Sequence, residues 1–149
     1  FVSYVDADVI ARYDAETGAF QGVFAAGAEL DLPQGMAFRP NGDLYVTTRA
    51  NGGSVLRYGG ESGEYLGVYA SAPSMHYPFD LSFAADGSLY VTDIDFATGT
   101  VYRFKEQTGV LLGTLAAGFP LNQPTFLLLS REPQAALHTI GAAAEGVQR

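Results

Sequence analysis

The stretch Arg12–Gly18 (RYDAETG) decides the fold, because it recurs twice along the chain. It returns as Arg57–Gly63 (RYGGESG) and as Arg103–Gly109 (RFKEQTG), at spacings of 45 and 46 residues. A period in this range is typical of repeat architectures, in which each repeat is one supersecondary unit. The chain is therefore built from three related units.

Further segments match in the same register on both sides of this turn. They are 20–25 (FQGVFA), 65–70 (YLGVYA) and 111–116 (LLGTLA) after it, and 1–4 (FVSY), 45–48 (YVTT) and 90–93 (YVTD) before it. A third pair, 33–38 and 78–83, is followed by Asn-Gly or Asp-Gly, a strong hairpin signal. Segments rich in Val, Tyr, Phe and Thr, without a sustained helical period, predict β-strands.

One unit predicts a four-stranded antiparallel meander with strands at Gly35–Phe38, Leu44–Thr47, Val55–Tyr58 and Tyr65–Ala70. Four strands in a repeat of about 45 residues are typical of a β-propeller blade. The predicted fold class is therefore all-β, with three β-propeller-type blades in this chain.

The predicted organisation is a partial β-propeller over residues 1–130, followed by an Ala- and Gly-rich tail over 131–149. Blade 1 has only three strands, within 1–25, whereas blade 2 spans 33–70 and blade 3 spans 78–118. Residues 124–130 (PTFLLLS) match the first strand of a blade and form a spare strand. The first blade thus lacks the strand that the end of the chain has in excess.

The run Gly35–Val46 (GMAFRPNGDLYV), with Val55–Tyr58 and the later Ser62-Gly63, resembles NHL-type repeats. It is also similar to the related repeats of lactonase-like six-bladed β-propellers. The resemblance covers roughly residues 1–130. It implies the fold but not one function, since that superfamily includes scaffolds, sensors, lectin-like binders, lyases and lactonases.

The composition excludes several classes of partner and chemistry. The 149 residues carry a net charge of −8, which argues against a nucleic-acid backbone or an anionic membrane as partner. No apolar run approaches the roughly 18 residues of a membrane span. Without cysteine, disulfides and thiolate metal sites are impossible. Acidic, cysteine-free repeat chains of this kind resemble bacterial extracellular or periplasmic proteins, which implies that location.

The resemblance to lactonase-like propellers also implies a metal hypothesis. In those proteins, acidic residues in loops near the central channel bind calcium or magnesium, and hard cations need several oxygen ligands. Under this hypothesis Asp93, Asp95 and Asp80 would hold calcium. The main prediction is that the chain has no cofactor and that aspartates in these loops accept turn hydrogen bonds. The set is not repeated, because the second copy has Arg49-Ala50-Asn51 in the loop equivalent to Asp93–Asp95.

Three arginines, Arg12, Arg57 and Arg103, share one register, each just before an aromatic residue. A repeated basic stripe could grip a polyanion, but each blade has one such charge on an acidic protein. We expect each arginine to pair with an acid on the adjacent blade and to cover the aromatic residue beneath it.

Exposed strand edges pair with other chains unless they are blocked. The sequence therefore predicts a non-enzymatic structural or interaction module whose main partner is itself. In this prediction a C-terminal strand of one chain fills the gap beside the first strand of another, giving a closed six-bladed ring or a head-to-tail filament. The donated residues are Phe126, Leu127, Leu128 and Leu129, and the receiving residues are Phe1, Val2, Ser3 and Tyr4.

Three alternatives stay open at this point. The chain could be a fragment of a longer propeller polypeptide, which its non-methionine first residue favours. It could belong to a lactonase- or lyase-like enzyme with a central divalent metal, although no Gly-x-Ser-x-Gly elbow is present. It could also be a ligand-binding sensor domain of a larger secreted protein.

Overall fold

The computed structural model of the chain describes residues 1–27, 29–94, 99–115 and 123–129. Regular structure in these ranges consists of β-strands and two 3-10 turns, Val5–Ala7 and Ala50–Gly52, without an α-helix. The strands are β1 (Val2–Tyr4), β2 (Val9–Tyr13), β3 (Phe20–Ala26), β4 (Met36–Phe38), β5 (Leu44–Thr48), β6 (Ser54–Tyr58), β7 (Tyr65–Ala70), β8 (Pro78–Phe83), β9 (Leu89–Asp93), β10 (Thr100–Phe104) and β11 (Leu111–Thr114).

The strands form three antiparallel sheets in which sequence neighbours pair. The first sheet has the order β1-β2-β3, the second β4-β5-β6-β7 and the third β8-β9-β10-β11. The prediction of an all-β fold with three blade-like meanders is thereby confirmed. The last residues of the predicted third blade, residue 130 of the spare strand and the tail 131–149 lie outside the described residues.

The repeated turn ahead of the last strand of each sheet depends on its final glycine. In all three copies this glycine donates its N–H to the carbonyl of the residue four positions earlier, at 2.8–2.9 Å. Its φ lies between 62° and 71°, in the left-handed region that glycine adopts without strain. The pairs are Gly18 with Asp14, Gly63 with Gly59 and Gly109 with Lys105.

Two of the three arginines in the shared register pair with an acid of their own sheet, which corrects the expectation of a pair across adjacent blades. Arg57 Nε donates to Asp43 at 2.7 Å, and Arg103 Nη2 donates to Asp86 at 2.9 Å. Antiparallel pairing brings the turn before the second strand beside the end of the third strand, so the nearest acid is intra-sheet. Arg103 also covers the ring of Tyr90 in its own sheet, at 5.7 Å.

A different arginine links neighbouring sheets. Arg39, after β4, forms an ion pair with Glu106 of the third sheet and also donates to its backbone carbonyl at 3.3 Å. The guanidinium of Arg39 stacks over Phe83 at 4.7 Å. Arg12 of the first sheet is exposed, and the described part of the chain offers it no ion pair.

The core consists of two clusters that lie between consecutive sheets. One joins the first and second sheets through Ile10, Ala25, Leu30, Leu44, Val46, Leu56 and Tyr58. The other joins the second and third sheets through Tyr45, Val55, Ala70, Ala72, Met75, Leu81, Leu89, Val91, Tyr102 and Phe104. Within the described residues neither cluster joins the first sheet to the third, so the sheets stack in chain order.

The same aromatic arrangement recurs at both interfaces between sheets. Phe1 meets Phe24 of its own sheet at 4.7 Å and Phe38 of the second sheet at 5.0 Å, both edge-on. The equivalent residue Tyr45 repeats this geometry one sheet later. It meets Tyr69 of its own sheet at 4.7 Å and Phe83 of the third sheet at 5.1 Å.

The glycine turns mark the closest backbone approach between sheets. A Cβ atom at Gly63 would overlap the carbonyl oxygen of Phe24 in β3 of the first sheet. A Cβ atom at Gly109 would likewise overlap the carbonyl oxygen of Tyr69 in β7 of the second sheet. Each turn therefore sits directly on the last strand of the preceding sheet.

Replacing Gly109 with asparagine is expected to lower the free energy of unfolding by about 1–3 kcal/mol, because the side chain has no room against the Tyr69 carbonyl. Asparagine is chosen because it tolerates positive φ better than most residues. The matched control is Gly42→Asn, where φ is 86° and no atom lies within 4 Å of the added Cβ. Urea unfolding measures both variants, and equal losses would contradict the packing argument.

Candidate assembly site

The first strand exposes apolar residues that the equivalent strands bury. Val2 exposes 45% of its surface, whereas Val46 of β5 and Val91 of β9 expose 0%. Phe1 exposes 42%, whereas Tyr45 exposes 2%. The difference follows from the sheet order, because β5 and β9 each pair with an inner strand and β1 has no such neighbour among the described residues.

One edge of β1 is unpaired in the described structure. Its other edge pairs with β2, with Val2 opposite Ala11 and Tyr4 opposite Val9. An unpaired edge presents free N–H and C=O groups to any extended segment. Residues 1–4 contain neither proline nor lysine, the residues that commonly block such an edge. This edge is therefore suited to accept another strand.

Ser3 repeats half of a hydrogen-bond arrangement that Thr47 completes in the second sheet. Thr47 Oγ1 donates to the Phe79 carbonyl of the next sheet at 3.0 Å and accepts the backbone N–H of Gly35, ahead of β4, at 2.9 Å. Ser3 Oγ likewise donates to the Gln34 carbonyl on the next sheet at 3.0 Å. No inner-strand N–H within the described residues reaches Ser3, because the first sheet has no inner strand there.

Beside the third sheet, residues 124–129 lie without regular secondary structure. The N–H of Leu127 donates to Asp80 Oδ2 at 2.9 Å, and the ring of Phe126 meets Phe79 edge-on at 6.1 Å. Both partners belong to β8, the inner strand of the third sheet. Phe126 and Leu128 nevertheless expose 84% and 94% of their surface. The segment thus lies beside β8 with apolar side chains uncovered.

This placement matches the way in which β8 follows β4. The backbone N–H of Gly35 donates to the Phe79 carbonyl at 2.7 Å, so the inner ends of the second and third sheets lie side by side. A Cβ at Gly35 would lie 2.7 Å from that oxygen, so no side chain fits there. Asp80 occupies the equivalent position in the third sheet, where its carboxylate reaches the following segment instead. Residues 124–129 therefore lie where the inner strand of a fourth sheet would lie.

The structure divides the predicted assembly residues between two separate surfaces. Phe1, Val2, Ser3 and Tyr4 belong to the first sheet, and Phe126, Leu127, Leu128 and Leu129 lie beside the third. The second sheet lies between them, with one cluster of buried residues on each side. Their arrangement is complementary, since one surface lacks an inner strand and the other carries a segment in the position of one.

The end of β1 is fixed to the first sheet by a side-chain contact. The hydroxyl groups of Tyr4 and Tyr13 share a hydrogen bond. This bond, together with a smaller effect of burial, raises the pKa of Tyr13 above its ordinary value. Tyr13 therefore stays neutral near pH 7, and its hydroxyl holds the side chain at the end of β1.

The aspartates predicted to bind metal have other partners in the structure. Asp93 exposes 1% of its surface, and its two oxygens accept the backbone N–H groups of His76 and Tyr77, each at 2.9 Å. Asp80 binds the segment 124–129, and Asp95 lies outside the described residues. The described ranges contain no cluster of three or more His, Asp or Glu side chains that could hold a metal ion. The calcium hypothesis stays a prediction.

Sequence reasoning missed two contacts of this site. The hydroxyl bonds that join neighbouring sheets could have been predicted, since hydroxyl residues Ser3, Thr47 and Thr92 occupy the same repeat position. Thr92 Oγ1 accepts the N–H of Asp80 at 3.0 Å, as Thr47 does for Gly35. The hydrogen bond from Leu127 to Asp80 had no signal in the sequence, because it joins residues that lie 47 positions apart.

No known protein family matches the chain, and no curated protein is significantly similar to it. The resemblance to NHL-type and lactonase-like repeats therefore stays a prediction. None of the described residues belongs to a helix long and apolar enough to cross a membrane.

Substituting Asp93 with alanine is expected to destabilise the protein by about 1–3 kcal/mol or more, since two backbone N–H groups lose their acceptor. The control is Asp6→Ala, an exposed acid of the first 3-10 turn, which should change stability by less than about 0.5 kcal/mol. Both are measured by urea unfolding in excess chelator and again in calcium. A loss that occurs only in calcium would contradict the loop-bonding role and support the metal hypothesis.

Proposed function

We propose that this chain is a structural module that assembles with copies of itself by strand addition. Residues 124–129 of one copy pair with the free edge of β1 in a second copy and complete its first sheet. The observation that carries the proposal is the contrast at one repeat position, where Val2 is 45% exposed and its equivalents Val46 and Val91 are 0% exposed. An inner strand added beside β1 would bury Val2 as β4 and β8 bury its equivalents.

The repeat predicts the register of the added strand. In the second sheet Met36 pairs with Val46, and in the third Leu81 pairs with Val91. The equivalent residues in the proposed contact are Leu127 of the donor and Val2 of the acceptor. In this register the N–H of Phe126 reaches Ser3 Oγ of the acceptor, as the N–H of Gly35 reaches Thr47 Oγ1.

Burial of apolar surface supplies the driving force for this contact. Phe1, Val2, Phe126 and Leu128 are all exposed in the single chain. Burying them contributes roughly 25 cal/mol per Å² of apolar surface. The net charge of −8 on each copy opposes association, but this repulsion is screened by salt at physiological ionic strength. Assembly should therefore strengthen as salt is added.

The contact is heterologous, because the donor and acceptor surfaces differ. A heterologous contact produces a ring when the rotation closes and a filament when it does not. Two copies of three sheets provide six blades, a number within the usual range of closed propellers. Either outcome uses the same pair of surfaces.

Deleting residues 124–149 is expected to leave a monomer, because the donor segment is absent. The matched control deletes 131–149 only and should assemble like the full chain. Sedimentation velocity at micromolar concentration gives the mass of each species. A full chain that sediments as a monomer would overturn the proposal, as would an oligomer that persists after the longer deletion.

The register can be tested by cross-linking, since the chain contains no cysteine. A double variant, Val2→Cys with Leu127→Cys, should form disulfides between copies on mild oxidation, because directly opposed residues have Cβ atoms close enough for a bridge. The control is Val2→Cys with Leu128→Cys, which shifts one partner by a residue to the opposite face. Non-reducing electrophoresis should show dimers or ladders for the first pair only. Equal cross-linking of both pairs would refute this register.

A further inference from the structure

The two interfaces between sheets repeat the same contact between a glycine turn and a backbone carbonyl. Among the described residues, extending this repeat leaves one turn without a carbonyl in the first sheet and one carbonyl without a turn in the third sheet. The glycine turn of each sheet packs on the carbonyl of the last strand of the preceding sheet, Gly63 on Phe24 and Gly109 on Tyr69. By repeat position the next carbonyl in this series is that of Leu115, and the first turn in the series is that of Gly18.

The glycine at the start of the series has no neighbouring sheet among the described residues. No atom lies within 4 Å of a Cβ built on Gly18, although its φ of 71° matches the 70° of Gly63. A preceding sheet is what would contact it, and none lies there among the described residues. The turn around Gly18 therefore has the backbone shape of an inter-sheet contact without the contact itself.

The residue at the end of the series is uncovered. Leu115 exposes 58% of its surface, whereas its equivalents Phe24 and Tyr69 are half-buried against the following sheet. Its backbone N–H donates to Val101 at 2.8 Å, so the residue is fixed to the third sheet. By repeat position, Leu115 corresponds to Phe24 and Tyr69, whose carbonyls meet the glycine turn of the following sheet.

We propose that the Gly18 turn of one copy packs on the carbonyl of Leu115 in another, and this inference rests on the proposed function. The donor copy holds its segment 124–129 beside β8 of its third sheet, the sheet that also carries Leu115. The acceptor copy carries both β1 and Gly18 in its first sheet. Strand addition and turn packing therefore join the same two copies in the same direction, and the contact between copies repeats the contact inside each.

The proposal gives Gly18 a role that its turn alone does not require. Asparagine tolerates a φ near 71°, and a single copy has room for its side chain. In the assembly the same side chain would meet the Leu115 carbonyl, as one at Gly63 would meet the Phe24 carbonyl. Glycine is thus needed at position 18 by the neighbouring copy.

The test compares Gly18→Asn with Gly42→Asn, which also has a positive φ and open space around its Cβ. Gly18→Asn should fold, as judged by its far-ultraviolet circular dichroism, but assemble at least about tenfold more weakly than the unsubstituted full chain in sedimentation velocity. Gly42→Asn should assemble like the unsubstituted chain. Assembly of Gly18→Asn at unchanged affinity would overturn the inference.

A second variant covers the other side of the contact. Leu115→Lys places a charge on the exposed face without changing the turn, and should weaken assembly, because the contact would remove the charge partly from water. Its result decides the question if Gly18→Asn does not fold. If both variants assemble normally while the deletion of 124–149 does not, strand addition stands and turn packing is wrong. If the unsubstituted chain is a monomer, both proposals fail.

Discussion

The structure depends on how closely the backbones of consecutive sheets can approach. At Gly63 and Gly109 a turn lies so near the preceding strand that even a methyl group would overlap a carbonyl oxygen. Beside the second of these contacts, the ring of Tyr45 meets Tyr69 of its own sheet and Phe83 of the third sheet. Because a packed interior tolerates little change in volume, this spacing limits the volume available to the side chains between the sheets.

This packing does not by itself limit how many sheets can stack. Each sheet offers one face that receives a turn and one that supplies a turn, so within the described residues the first and third sheets each keep an unmatched face. The first sheet also keeps an unpaired edge at β1, beside exposed Phe1 and Val2. Inside the described chain the same strand edges and sheet faces are paired with a neighbouring strand or sheet. At these positions the described residues supply no such neighbour. The proposed self-association would use the same kinds of contact as folding.

Differences between the repeats show which positions are local and which serve the stack. Thr48 and Asp93 are equivalent, and both accept backbone N–H groups from the loop ahead of the inner strand. The two residues share only the acceptor role, because the Thr48 hydroxyl also donates to the Asp31 carbonyl at 2.6 Å, which a carboxylate cannot do. Gly35 and Asp80 are equivalent but not interchangeable, because one must leave room for a neighbouring carbonyl and the other reaches the segment 124–129. Neither case could be read from residue type alone.

The sequence by itself determined the strands and their grouping, since hairpin turns, alternation and a 45-residue period act over short distances along the chain. It also indicated that the residues around Phe1 and Leu127 would be complementary. Only the tertiary structure decided that Arg57 pairs within its own sheet, that Asp93 bonds a loop, and that Gly18 and Leu115 are unmatched. These properties depend on which sheets and loops lie next to each other in space. The local sequence pattern does not encode contacts between residues that are far apart along the chain.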